Sequence, residues 1–127
     1  MKLPLTILFL ATSLHASDLW SALSKLESGD HDNARGRAHE VSRYQMLPSV
    51  WRAATSLPLS AATNRDVAWS VASNVQGARV VAFARREGRM PTDGEWALLW
   101  HCPARILHPN AEELAYEKRF LNLVNAK

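Results

Sequence analysis

Apolar residues recur at three- and four-residue steps along most of the chain, a spacing that predicts helices joined by short polar loops. The first helix is expected from Asp18 to about Glu27. Ser17 can cap its first turn, and Gly29 can end it. Residues 28–39 then form a polar loop. Glu27 shares the apolar face of this helix, which is otherwise formed by Leu19, Trp20, Leu23 and Leu26.

The middle of the chain predicts two further helices. Leu47-Pro48 opens a short one that ends before Pro58, because proline suits the first turn of a helix and interrupts a later turn. A long helix follows from its cap, Asn64, to about Glu87. The inner stripe of the long helix is expected at Val67, Val71, Val75, Ala78 and Ala82.

Two capping boxes predict the last helices. Thr92 and Glu95 have the required spacing, and so do Asn110 and Glu113. Residues 41–46 can form a short extended piece, but convincing strand alternation is absent from the sequence. The pattern as a whole predicts an all-α fold.

The N-terminus has the layout of a secretory signal peptide. Lys2 precedes a short apolar run over residues 3–14, and Ala16 supplies a small residue at the expected cleavage position. The run is too short for a transmembrane helix, so stable membrane insertion is not expected after cleavage. We therefore predict a signal peptide over residues 1–16 and a mature domain over 17–127, exported to the periplasm or secreted. The alternative is a buried N-terminal helix.

Composition limits the class of protein. A chain of 127 residues with 47% hydrophobic and 21% charged residues is typical of one globular domain. The net charge of +3 suits an anionic polymer as partner without identifying one. The single cysteine, Cys102, excludes an internal disulfide and is expected to be an inert buried thiol. The five histidines lack metal-ligand spacing, so neither a metal nor another cofactor is expected.

Glu27 is the candidate catalytic residue. Its position places a carboxylate on the apolar face of the first helix and in the last turn. Apolar surroundings and the negative end of the helix dipole would both raise its pKa. A carboxylic acid that stays protonated near neutral pH is what protonation of a glycosidic oxygen requires. The alternative is a helix-end glutamate that points to solvent or pairs with Arg43.

Motifs around Glu27 resemble the lysozyme-like superfamily, in particular soluble lytic transglycosylase domains. That family has an E-S-G start, an alanine seven residues beyond the glutamate, and a G-L-M-Q-x-x-P segment. This chain has Glu27-Ser28-Gly29, then Ala34, then Ser42-Arg43-Tyr44-Gln45-Met46-Leu47-Pro48. Residues 99–103 stand where the family has an A-Y-N-x-G-like segment, and residues 116–120 are similar to its closing helix.

The resemblance implies a role for each matching residue. Glu27 would be the general acid and then the general base, while Ser28 and Gln45 would hold substrate or orient the acid. Tyr44 would line the floor of a cleft between the Glu27 helix and the later helices. The remaining substrate-binding positions implied by the resemblance are Trp100, in place of the family's tyrosine, and His101, in place of its asparagine.

The chain departs from the family at several positions. Ser42 and His39 stand where the family has glycine, and Glu40 replaces an alanine. Among the five tryptophans, Trp20 and Trp69 are expected in the core. At least one of the other three is expected to form a wall of the cleft; these are Trp51, Trp96 and Trp100.

The function implied is cleavage of the β-1,4 bond between N-acetylmuramic acid and N-acetylglucosamine in peptidoglycan by a monomeric lytic transglycosylase. Its partners would be the glycan strands, with no nucleic acid. One alternative is a hydrolysing lysozyme that uses Glu27 with Glu40 as second carboxylate. Another is an inactive exported glycan-binding protein. A third is a small basic nucleic-acid binder, whose DNA affinity would fall steeply with salt.

Overall fold

A computed structural model describes residues 15–126 of the protein. Within this range the chain forms helices and turns without a strand, so the predicted all-α fold is confirmed. A short 3₁₀ helix covers Leu59–Thr63. The α-helices are α1 (Ala16–Ser28), α2 (Pro48–Ala54), α3 (Arg65–Glu87), α4 (Asp93–His101) and α5 (Ala111–Asn125).

The predicted signal peptide falls almost entirely on residues 1–14, which lie outside the described residues. Its expected end, Ala16, is the first residue of α1. In residues 15–126, none of the helices combines the length and the apolar character that crossing a membrane requires.

The predicted capping boxes form as expected. Thr92 Oγ1 accepts a hydrogen bond from the Glu95 amide at 3.2 Å, and Glu95 Oε1 accepts one from the Thr92 amide at 2.9 Å. Asn110 and Glu113 repeat the exchange at the start of α5. These reciprocal bonds satisfy backbone donors that a helix start leaves without a partner.

The chain divides into two compact units. Within the described residues, one is the continuous unit, residues 23–78, and the other is the discontinuous unit, residues 15–22 and 79–126.

The continuous unit packs around Trp51, which is fully buried on α2. The Trp51 ring nitrogen donates a hydrogen bond to the Leu57 carbonyl at 3.0 Å, so the polar edge of the buried indole is satisfied. The other buried apolar side chains of this unit are Leu23, Val41, Tyr44, Met46, Ala62, Ala68, Val71 and Ala72.

The discontinuous unit has an aromatic core. Trp20 packs edge-on against Trp96 and Trp100, with ring centroids 5.1 and 5.9 Å apart. Trp96 stacks on Phe120 at 5.8 Å and thereby joins α4 to α5. Phe120 and Phe83 are fully buried, and Trp96 and Trp100 nearly so.

The predicted inner stripe of α3 is wrong in the second half of the helix. Val71 is buried as expected and Val67 and Val75 are half-buried, but Ala78 and Ala82 are exposed. Trp69, expected in the core, is 48% exposed. Small apolar residues occur on several faces of α3, so its spacing alone fits more than one rotation of the helix. The residues that α3 buries are Ala68, Val71, Ala72, Gln76 and Phe83.

Candidate functional site

Glu27 lies at the end of α1, which is stabilised by hydrogen bonds to nearby backbone and side-chain groups. The Gly29 amide donates to the Lys25 carbonyl at 2.9 Å, and Gly29 has a φ of 64°, the left-handed conformation predicted for a helix stop. The buried Ser24 hydroxyl donates to the Asp30 carboxylate at 2.6 Å. Glu27 itself is half-buried in the last turn. The helix end is therefore a fixed support for this carboxylate.

Ser28 forms hydrogen bonds with residues close to it in sequence. Its hydroxyl donates to the Ser24 carbonyl at 3.2 Å and accepts from the His31 amide at 3.1 Å. The His31 ring also lies 2.7 Å from the Ser28 carbonyl through Nδ1. These bonds extend the helix end into the following loop. The implied role of Ser28 in holding substrate stays a prediction.

An ion-pair clamp connects this loop to the segment that contains Gln45. Arg43 Nε donates to Asp32 at 2.8 Å, and a terminal nitrogen of Arg43 donates to the Asp30 carbonyl at 3.2 Å. Arg65, on α3, binds the other Asp32 oxygen at 3.2 Å. Burial raises the pKa of Asp32, but hydrogen bonds from Arg65 and Arg43 outweigh it and hold that pKa below its ordinary value. The clamp is therefore charged at neutral pH.

Residues 41–46 form a tight turn. Val41 and Met46 exchange backbone hydrogen bonds of 2.8 and 2.9 Å, which is the short extended pairing expected there. Ser42 is buried and has a φ of 73°, and Gln45 has a φ of 53°. The Gln45 side chain donates to the Ser42 carbonyl at 2.9 Å. The Gln45 side chain is thus held against the turn.

His39 also has a left-handed backbone, with a φ of 65°. Glycine adopts this conformation freely, whereas other residues pay about 1–2 kcal/mol. His39 and Ser42 are two positions at which the resemblance expects glycine and this chain has another residue. Their backbone geometry is therefore of the kind that glycine would supply.

Glu40 packs against the loop. Its Oε1 accepts a hydrogen bond from the Ala38 amide at 2.8 Å. A Cβ on Gly36 would collide with the Glu40 carboxylate and lie 2.8 Å from Gln45 Oε1. Gly36 therefore lets Glu40 and Gln45 approach the same backbone position. The carboxylate of Glu40 has a structural partner within its own turn.

Tyr44 lies in the core of the continuous unit and is only 4% exposed. Burial raises the pKa of its phenol above the ordinary value, against a smaller opposing effect from Arg43. Little of the ring surface is therefore accessible to a ligand. The expected place of Tyr44 on a cleft floor stays a prediction.

Trp100 and His101 belong to the discontinuous unit, at the end of α4. Arg79 donates from Nη1 to the carbonyls of Leu99 and Trp100 at 3.0 and 3.1 Å, which satisfies two acceptors that a helix end leaves open. Its guanidinium lies 5.7 Å from the Trp100 ring centroid. The sequence does not predict these contacts of Arg79, because its partners lie about twenty residues away.

The His101 ring stacks on Tyr116 with centroids 3.9 Å apart, and burial lowers its pKa. Cys102 follows it in the chain. Burial raises the pKa of the Cys102 thiol to about 12, and the Glu113 carboxylate adds to the effect as hydrogen-bond acceptor. The thiolate is therefore disfavoured, as expected for an inert thiol, although Cys102 is half-buried rather than buried. Within residues 15–126, metal-ligating side chains do not cluster in threes or larger groups.

Comparison with known proteins gave no match: neither a family model, nor a curated protein, nor a solved structure matches this chain.

Proposed function

We propose that the protein is an exported lytic transglycosylase that cleaves the β-1,4 bond between N-acetylmuramic acid and N-acetylglucosamine, with Glu27 as its catalytic acid. The observation that carries the proposal is the arrangement of the continuous unit. Half-buried Glu27 lies in the last turn of α1, and the Asp32–Arg43 clamp ties the loop after it to the turn that contains Gln45. Left-handed backbone at His39 and Ser42 supports the likeness, because the family has glycine there.

Glu27 would act twice. As a carboxylic acid it protonates the glycosidic oxygen, and the bond from that oxygen to the muramyl C1 breaks. As a carboxylate it then takes the proton of the muramyl 6-hydroxyl, whose oxygen bonds to C1. An internal 1,6-anhydro ring forms, and Glu27 recovers its proton. The substrate supplies the nucleophile, so one carboxylate suffices.

The hydrogen-bond partners of three carboxylates that follow Glu27 in the sequence support this one-glutamate scheme. Glu40 is bonded to the Ala38 amide, Asp30 to the Ser24 hydroxyl, and Asp32 to two arginines. A hydrolase would need a second carboxylate to activate water or to attack the sugar. Each of these three accepts hydrogen bonds that stabilise the loop or its contact with α3.

The products test the proposal. Peptidoglycan sacculi are incubated with the purified protein, and the released muropeptides are identified by mass. A transglycosylase yields 1,6-anhydromuramyl ends, lighter by one water than hydrolytic ends. Reducing muramyl ends as the sole product would instead assign the protein to the hydrolysing lysozymes. Binding to sacculi without release of fragments would make it a glycan-binding protein.

A further inference from the structure

A surface depression lies in the discontinuous unit, and none of the residues that line it is assigned to cleavage. It is lined by Arg86, in the last turn of α3, and by residues 103–108, which connect α4 to α5. Its volume is about 370 Å³. That size falls in the range of small-molecule sites in proteins, roughly 300–1,000 Å³.

The lining combines cationic and apolar groups. Arg86 and Arg105 supply the cations, and His108 adds an imidazole to the lining. Ile106 is buried, whereas Leu107 is 50% exposed. A half-exposed leucine beside two guanidinium groups suits a ligand that has an apolar body and an anionic end.

Both arginines are held by their neighbours. Arg105 donates its Nε to Glu113 at 2.9 Å, and Arg86 donates its Nε to Glu87 at 3.1 Å. The Arg86 guanidinium also lies 5.7 Å from the Phe83 ring centroid. A guanidinium has five N–H donors, and the edge formed by its terminal nitrogens matches a carboxylate. Arginines that are already oriented lose less freedom when a ligand binds.

The two glutamates also limit the charge of the ligand. Glu87 and Glu113 offset much of the positive field of Arg86 and Arg105. A polyanion would be repelled by them, whereas a single carboxylate can bind the arginine edges that face away from the glutamates. The lining therefore favours one negative charge on a small apolar group.

We infer that this depression binds the C-terminal carboxylate of a short peptide whose last side chain is small and apolar. The inference deepens the proposed function and rests on it for the source of the peptide, because peptidoglycan carries short peptide stems on its glycan strands. The terminal carboxylate would bind the guanidinium groups, and the last side chain would pack on Leu107 and its apolar neighbours.

The test uses N-acetyl-D-Ala-D-Ala and its C-terminal amide as probes. Each is titrated into the isotope-labelled protein, and backbone NMR shifts are followed. The free acid should bind saturably with shifts centred on residues 103–108, and the amide should bind at least about tenfold more weakly because it lacks the charge. Inorganic phosphate is a third probe. Phosphate that binds the same residues more tightly than the peptide acid would contradict a peptide site.

Variants locate the site. Arg86→Gln should weaken binding of the free acid at least about tenfold. Arg85→Gln is the matched control, since Arg85 is the preceding, exposed residue of α3 and does not line the depression. It should leave binding unchanged. Equal effects of the two variants, or equal affinity for acid and amide, would overturn the inference. Circular dichroism on both variants verifies the fold.

The outcome is separate from that of the sacculus assay. Acid-selective binding that depends on Arg86, in a protein that releases no muropeptides, would support this site and refute the proposed cleavage. Muropeptide release by a protein that does not distinguish acid from amide would refute this site alone.

Discussion

The segment from Glu27 to Met46 and the pair of helices α4 and α5 are stabilised in different ways. The first depends on polar contacts, chiefly the Asp32–Arg43 clamp. It also contains left-handed residues such as His39. The second depends on buried aromatic rings and two capping boxes. Left-handed residues lie in the segment where the chemistry is proposed, and regular helix packing holds α4 to α5. Such a division is common where a protein must hold side chains in a functional arrangement.

The largest effect should come from the aromatic core. Phe120→Ala removes a fully buried ring that stacks on Trp96, and should lower the free energy of unfolding by about 3–5 kcal/mol. Leu114→Ala is the control on the same helix, because Leu114 is 50% exposed and should cost less than about 0.5 kcal/mol. Urea denaturation measures both. Similar losses for the two variants would show that α5 is not anchored by this ring.

The clamp should be the next most sensitive feature. The Arg43 side chain is 12% exposed, so Arg43→Ala leaves Asp32 without its closest charged partner and should cost about 1–3 kcal/mol. Arg65→Ala removes a guanidinium from the same carboxylate, but its side chain is 63% exposed and the cost should stay within about 0.5 kcal/mol. Denaturation and sacculus turnover are measured together. Arg43→Ala should reduce both the free energy of unfolding and the turnover. An equal effect of Arg65→Ala would contradict the greater importance assigned to Arg43.

The capping box of α4 should affect how the free energy of unfolding changes at acidic pH. Hydrogen bonds from Arg89 chiefly lower the pKa of Glu95, against burial and with help from Thr92, to about 2. A folded-state pKa below the ordinary 4.5 contributes stability that is present above pH 4.5 and is lost as pH falls toward 2.

Glu95→Gln tests this contribution, because glutamine keeps the hydrogen bond to the Thr92 amide and removes the charge. The variant should lose about 0.5–1 kcal/mol at pH 7 and show a flatter dependence between pH 4.5 and 2. Glu112→Gln, in the exposed first turn of α5, is the control. An unchanged acid limb in Glu95→Gln would contradict the assigned role of this carboxylate.

The smallest change in the free energy of unfolding is expected at His39, whose backbone is left-handed. His39→Gly relieves a left-handed backbone and should raise the free energy of unfolding by up to about 1 kcal/mol, since glycine's greater freedom in the unfolded chain offsets part of the gain. His39→Val should lower it, because a β-branched residue fits this conformation poorly. Thermal unfolding compares the two. The opposite order would mean that His39 is not strained.

Features coded by neighbouring residues were predictable. The Thr92–Glu95 box and the Gly29 stop form as expected, because each needs only residues that are close in sequence. The rotation of α3 was missed because its small apolar residues do not favour one face strongly. Trp69 was consequently assigned to the core and is exposed.

The candidate site was predictable only in part. The segment that contains Glu27 and Gln45 could be chosen from its motifs. Asp32, however, lies in what the sequence predicts only as a polar loop, and it is bound by arginines 11 and 33 residues away. Sequence spacing does not reveal such long-range partners, since they depend on how the loop folds.

The central claim is that Glu27 performs the cleavage without a second carboxylate, and two variants measured side by side test it most directly. Initial rates of muropeptide release from sacculi are compared for the wild type, Glu27→Gln and Glu40→Gln. Loss of the titrating proton at Glu27 should reduce the rate by about two to four orders of magnitude while glycan binding persists. Glu40→Gln should keep appreciable activity. A Glu27→Gln rate within a few-fold of wild type, or an inactive but folded Glu40→Gln, would contradict the account.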